Sequence, residues 1–203
     1  ASWRNVPGVK AVWVNSPCNP TGEVYSAERM AGIVAAAREI GAVVLSDECY
    51  ALMQWRGATN SADDDPLQST PCALRSDVCA GSAEGVLVLY SLSKQSNMAG
   101  YRTAFIAGDE SLIASMKQIG QIIPGPVQAA MAAGLRDLES VKVQHARYRE
   151  RLGVLVSALR AYGYCTDMPD GALYVWVRAK SGDCWTDMEQ LAKIGIIASP
   201  GEF

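Results

Sequence analysis

The chain has 203 residues, 49% of them hydrophobic and 19% charged, enough apolar surface for a sizeable core and too much for wholesale disorder. A formal charge of −3 supplies no basic footprint for nucleic acid or for an anionic membrane, and no apolar run approaches the roughly 20 residues of a membrane-spanning helix. Six scattered cysteines with no C-x-x-C pair, and a single histidine, His145, point away from a zinc centre and from Ser-His-Asp or Cys-His hydrolysis.

Free thiols in a reducing cytoplasm are therefore expected. Both ends read as cut. Ala1-Ser2-Trp3 leads almost directly into a strand, and Ser199 to Phe203 stops in mid-turn, so a piece of a longer protein is expected.

In chain order, Val9 to Val14 reads as a buried strand ending in the ordered loop Asn15 to Gly22, with prolines at 17 and 20. Ser26 is a good N-cap for a helix to Ile40, with Met30, Ile33, Val34 and Ala37 on one face and Gly41 as its stop. Ala42 to Ser46 is a second strand, which completes a βαβ unit with a parallel pair. Residues 56–84, with the acidic run Asp63-Asp64-Asp65, read as a long surface connection with a helical turn around Cys72 to Cys79.

Val86 to Tyr90 and Thr103 to Ala107 are the next strands. Asp109 caps a helix with Leu112, Ile113, Met116 and Ile119 inward, and an Ala-rich helix then runs through Leu138. Glu139 to Tyr162 is a long amphipathic helix with Tyr148, Leu152, Leu155, Val156 and Leu159 on one face and His145 on the surface. Ala172 to Val177 reads as a strand, Thr186 to Ile194 as a helix capped by Thr186, and Ile196 to Ala198 as the start of another strand.

Four polar groups follow strands: Asn19-Pro20-Thr21-Gly22, Asp47 to Tyr50, Ser91 to Lys94, and Arg102, which returns by the loop. In an open α/β sheet the carboxyl ends of strands border the ligand crevice. An amine, a carboxylate, a phenol, an amide, two hydroxyls and a guanidinium suit pyridoxal phosphate. That cofactor needs a lysine for its Schiff base, a carboxylate for its ring nitrogen, donors at its phenolate oxygen and a grip on its phosphate. Taken singly, each residue also has an ordinary structural use: a surface lysine, a turn aspartate or asparagine, a packed tyrosine, a structural serine.

Asn-Pro-Thr-Gly, Asp-x-x-Tyr and Ser-x-Ser-Lys followed eight residues later by Arg, in this order, resemble the class I/II aminotransferases of pyridoxal phosphate fold type I. Pro169-Asp170-Gly171-Ala172-Leu173-Tyr174 and Pro200-Gly201 are similar to the family's later signatures. The resemblance implies an α/β fold with a three-layer, mostly parallel sheet, incomplete here. It implies a large cofactor domain over residues 1–138 and part of a smaller α+β domain over 139–203.

It implies Lys94 as Schiff-base lysine and proton shuttle, Asp47 on the ring nitrogen, Tyr50 and Asn19 on the phenolate oxygen, and Ser91, Ser93 and Arg102 on the phosphate. The activity implied is ping-pong amino transfer between an amino acid and a 2-oxo acid, in a cytoplasmic homodimer. Within the family, Ser91 to Arg102 with Ser46 to Tyr50 most resembles the actinobacterial N-succinyldiaminopimelate aminotransferases of lysine biosynthesis. Ala104 departs from a frequent glycine.

The family's upstream phosphate loop, its ring-stacking aromatic and its substrate-carboxylate arginine have no counterpart between Ala1 and Phe203. Two other readings share these motifs: an aminotransferase-like sensor domain of a transcription regulator, and a fold-type I amino-acid lyase.

Overall fold

Short runs of Val, Leu and Ile bounded by turn formers build the sheet. The computed structural model describes residues 2–55, 70–120 and 122–202. After a 3₁₀ turn at Ser2–Asn5, β1 (Ala11–Asn15) leads through α1 (Ala27–Glu39) to β2 (Val43–Asp47), and β3 (Val86–Tyr90) follows. The chain then turns through α2 (Leu92–Gln95) into β4 (Phe105–Gly108). The sheet order is β1-β2-β3-β4, with the first three strands parallel and β4 antiparallel to β3. The expected βαβ unit is present.

Ser26 caps α1 by accepting the Arg29 N–H. Met30, Val34 and Ala37 of that helix pack on Val14, Val44, Val86 and Val88, all buried, with Ile33 alongside. Each large aliphatic side chain so buried contributes about 1.5–3 kcal/mol. Ala73 and Val78 join the same cluster, so residues 70–84 form a wall of the core where a surface connection was expected. They form turns there, with the Cys79 N–H on the Arg75 carbonyl. Asp63 to Asp65 lie outside the described residues.

Helix α3 (Glu110–Lys117) is capped by Asp109 as expected. Met116 and Ile119 are nevertheless exposed, because no described element covers that side of the helix. Helix α4 (Gly125–Arg136) stops at Asp137, whose carboxylate caps α5 (Leu138–Ala161) through the Ser140 N–H. Leu152 and Val156 of α5 are buried, but Leu155 is exposed.

His145 is a correction: it is buried, its ring lies 4.6 Å from that of Trp55, and Nε2 is 3.3 Å from the Gln54 carbonyl. Burial holds the imidazole below its ordinary range. Helix α6 (Cys184–Lys193) starts two residues before the expected point, because Asp183, and not Thr186, is the cap; its carboxylate accepts from the Thr186 N–H. Among the described residues no helix is long and apolar enough to cross a membrane, and all six cysteines are free thiols.

Ala172 to Val177 and Ile196 to Ala198 do not form ladder strands. The start of the first segment is tied elsewhere. The Trp55 N–H donates to the Asp170 carbonyl at 2.8 Å, the Ala172 N–H to the Met53 carbonyl at 2.9 Å, and the Trp55 indole N–H to the Ala172 carbonyl at 2.6 Å. With Gln54 and Gly171 forming an isolated bridge, residues 53–55 are the docking strip for residues 170–172. Tyr50, Met53, Trp55, Leu152 and Ala172 form a second buried cluster there.

The fit leaves no room at two glycines. Gly22 has φ +74°, and a Cβ on it would lie 2.7 Å from the Pro169 Cβ; a Cβ on Gly171 would lie 2.8 Å from both the Met53 carbonyl oxygen and the Pro17 Cβ. Gly171→Ala is therefore expected to destabilise the fold by about 1–3 kcal/mol through overpacking. The loss is read as a lower denaturation midpoint, and an unchanged midpoint would contradict the docking.

Candidate active site

Strand register decides which side chains meet. Asn15 pairs with Asp47 and Asp47 with Leu89, so β1, β2 and β3 end side by side. Because β4 runs antiparallel, Tyr90 pairs with Phe105, and the residues just before β4 return to the end from which Ser91 departs. Asp47, Ser91, Ser93, Lys94, Arg102 and Thr103 line one cavity of about 390 Å³ at that edge, within the usual size of a small-ligand site.

Ser91 caps α2 by accepting the Ser93 N–H at 3.2 Å, and the two serine hydroxyls lie 2.8 Å apart. Ser91 also donates to the Thr103 carbonyl at 3.0 Å, which closes the loop base. Arg102 sits in the left-handed region at φ 52° and is exposed; its guanidinium donates to the Ala99 carbonyl. Ala104, the departure from the usual glycine, lines the cavity wall.

Asp47 is half-buried, and its carboxylate accepts the Cys49 N–H at 3.2 Å. On the neighbouring strand, the Asn15 side chain donates to the Asp47 carbonyl and accepts the Asn19 N–H at 2.8 Å. Asn19 itself is exposed and is not part of the cavity wall. Peptide bonds Ser16–Pro17 and Asn19–Pro20 are both cis.

Tyr50 is buried, and the Lys94 amine stands 5.8 Å from the centre of its ring. Burial, reinforced by its hydrogen bond to Tyr174, raises the Tyr50 hydroxyl above the ordinary phenol range. Burial and the charge of Asp47 push the Cys49 thiol up to about 12, against the pull of Lys94. That thiol is protonated and inert at neutral pH.

Beneath the cavity lies a polar layer to which the sequence reading assigned no role. Tyr90, on the cavity wall, donates to the side-chain amide oxygen Oε1 of Gln95, and burial pushes its phenol up to about 12. Glu48 points away from Asp47 because neighbours on an extended chain alternate. It is buried, accepting from the Ser46 hydroxyl at 2.9 Å and the Ala73 N–H at 2.8 Å. A buried acid directly after Asp47 was legible as a period-two pattern, Ser46 and Glu48 against Asp47; its partner Ala73 was not.

Burial raises the Glu48 pKa from its ordinary value near 4.5, and the Ala73, Cys72 and Ser46 hydrogen bonds only partly offset this. The native state thus holds this proton more tightly than the unfolded chain. Its stability falls as pH rises from about 4.5 through the raised value. Glu48→Gln removes the proton and keeps the acceptor, so the parent's denaturation midpoint should drop relative to the variant's across that window. A parent that gains on the variant with rising pH would contradict this.

The chain belongs to the class I and II aminotransferase family, whose model matches residues 3–202. Members of this family use pyridoxal phosphate. It is 42% identical over 199 residues to the 4-dedimethylamino-4-oxo-anhydrotetracycline transaminase OxyQ of Streptomyces rimosus, covering 96% of this chain and 52% of that protein. It is 37% identical to a probable aminotransferase of Mycobacterium tuberculosis, covering 95% of this chain and 44% of that protein.

Aspartate aminotransferase from Thermus thermophilus in complex with maleate superposes with a TM-score of 0.77 at 27% identity, over 95% of this chain and 49% of that one. The fold is accordingly the α/β, mostly parallel sheet of fold type I. The chain spans about half the length of the relatives it matches.

Proposed function

We propose that these residues carry the cofactor-binding core, over residues 1–138, and the beginning of the smaller domain, over 139–203, of a pyridoxal phosphate-dependent aminotransferase. The observation that carries the reading is the register of four strand ends, which brings Asp47, Ser91, Ser93, Lys94 and Arg102 around one cavity. The donor set fits the cofactor: one amine, one carboxylate, two hydroxyls and one guanidinium. When bound, pyridoxal phosphate supplies an electron sink for the substrate's Cα.

Lys94 would hold the cofactor covalently and would be the acid–base group that moves a proton at the substrate's Cα. Asp47 keeps the ring nitrogen protonated. Tyr50 and Asn19, neither of which lines the cavity as it stands, would be the donors to the phenolate oxygen, Tyr50 from beside Lys94 and Asn19 by turning inward from the loop after β1. Ser91 and Ser93 would present hydroxyls to the phosphate, and the Arg102 guanidinium, now on the Ala99 carbonyl, would add its fork.

The same proposal includes a cytoplasmic homodimer acting on an amino acid and a 2-oxo acid, and it rests there on family membership. For the donor we propose a diaminopimelate-type amino acid, such as its N-succinyl derivative. Support comes from the Ser91–Arg102 motif and from 30% identity over 200 residues to the LL-diaminopimelate aminotransferase of Syntrophobacter fumaroxidans, 48% of which is covered.

The test is a single half-reaction of the cofactor-loaded full-length protein with one candidate donor and no acceptor. One equivalent of 2-oxo acid with no ammonia is expected. Released ammonia would replace this reading with a lyase, and cofactor binding without any product would replace it with a sensor.

A further inference from the structure

Tyr174 comes from the segment whose start residues 53–55 hold in place, 124 residues beyond Tyr50 in the chain, yet the two hydroxyls lie 2.9 Å apart. Their rings meet edge-to-face, with centroids 6.0 Å apart and planes at 76°. The segment is set by the Asp170, Ala172 and Met53 backbone bonds and by the left-handed Ala172 at φ 60°. Tyr174 is thus delivered to Tyr50 by a clamped backbone rather than by a loose side chain.

A tyrosine hydroxyl has one proton to give and lone pairs to receive another. The phenolate oxygen proposed above as the partner of Tyr50 is an acceptor, so Tyr50 must give it its own proton. The remaining role for Tyr174 is to donate to the Tyr50 oxygen. We infer that Tyr174 is a positioning residue: its hydroxyl donates to Tyr50, fixes the direction of the Tyr50 O–H and polarises it toward the cofactor. This rests on the reading of Tyr50 given under the proposed function. It also ties the cofactor's phenolate oxygen to the Pro169–Tyr174 segment, so that a shift of that segment changes the strength of one bond to the cofactor.

The test is a pH titration of the bound cofactor's absorption band in the full-length protein, for the parent, Tyr50→Phe, Tyr174→Phe and the double variant. Phenylalanine keeps the edge-to-face ring contact and removes only a hydroxyl. Tyr50→Phe should raise the titration midpoint by about 1 unit or more, since the deprotonated form loses a donor. Tyr174→Phe should raise it by about 0.1–0.3 unit, since cooperative strengthening along a hydrogen-bond chain is about 10–30% of the Tyr50 bond's own effect.

The double variant should match Tyr50→Phe alone, because Tyr174 acts only through Tyr50. A Tyr174→Phe midpoint equal to the parent's, or a shift that adds in full to that of Tyr50→Phe, would overturn the inference and leave the aminotransferase reading intact. An unshifted Tyr50→Phe would remove the role of Tyr50, and the inference with it, while Lys94 and Asp47 keep theirs.

Discussion

Lys94→Ala is expected to lower amino transfer by about 10,000-fold, the upper end of what a positioned acid–base group supplies. The fold should survive. Lys94 is half-buried on a four-residue helix that is held from its neighbours: Leu92 is fully buried, and the Ser91 hydroxyl joins the start of the loop to its end at the Thr103 carbonyl. The Lys94 amine lies over the ring of Tyr50 at 5.8 Å, a contact that an alanine gives up at little cost to packing. Activity should therefore fall with the denaturation midpoint nearly unchanged. Added small primary amines should restore part of the rate, since they can carry the proton that alanine cannot. A variant that transaminates at the parent's rate would remove Lys94 from the chemistry.

Asp47→Asn is expected to cost about 100- to 1,000-fold, the loss found when a preorganised group facing developing charge is neutralised. Asparagine is nearly isosteric, and its amide oxygen can still accept the Cys49 N–H that the carboxylate accepts now. The backbone of Asp47 stays in place through its pairing with Asn15 and Leu89. What disappears is the negative charge at the strand end. The loss should appear in kcat far more than in the affinity for the phosphate group, which Ser91, Ser93 and Arg102 are proposed to hold. A variant whose whole defect is weaker cofactor retention would reassign Asp47 to structure.

The parts of the fold legible in the sequence were those decided locally. Ser26, Asp109 and Gly41 delimit helices through their own backbone neighbours, and Met30, Val34 and Ala37 share a face because of helical spacing. The strands from Val12 to Tyr90 were legible because each is a short apolar run between turn formers. Long-range events were not. Ala172 to Val177 alternates well enough for a strand, but a strand needs a neighbour, and its first residues bind Met53 and Trp55 instead.

His145 lies among charged residues in the chain, and what buries it, Trp55 and Gln54, comes from 90 and 91 residues earlier. The same reasoning covers the cavity. Lys94, Asp47, Ser91, Ser93 and Arg102 were nameable from motif order, and the antiparallel return of β4 explains how Arg102 reaches them. The Tyr50–Tyr174 pair and the Glu48–Ala73 bond join segments that nothing in the sequence connects.

The central claim is that Lys94 is the residue that holds pyridoxal phosphate. It is tested most directly by reducing the cofactor-loaded full-length protein with borohydride, digesting it and locating the pyridoxyl group by mass spectrometry. The expected result is one modified peptide, the one containing Ser91 to Arg102, with the group on Lys94. Modification of another lysine such as Lys117, or a reduced protein that carries no pyridoxyl group, would contradict the account.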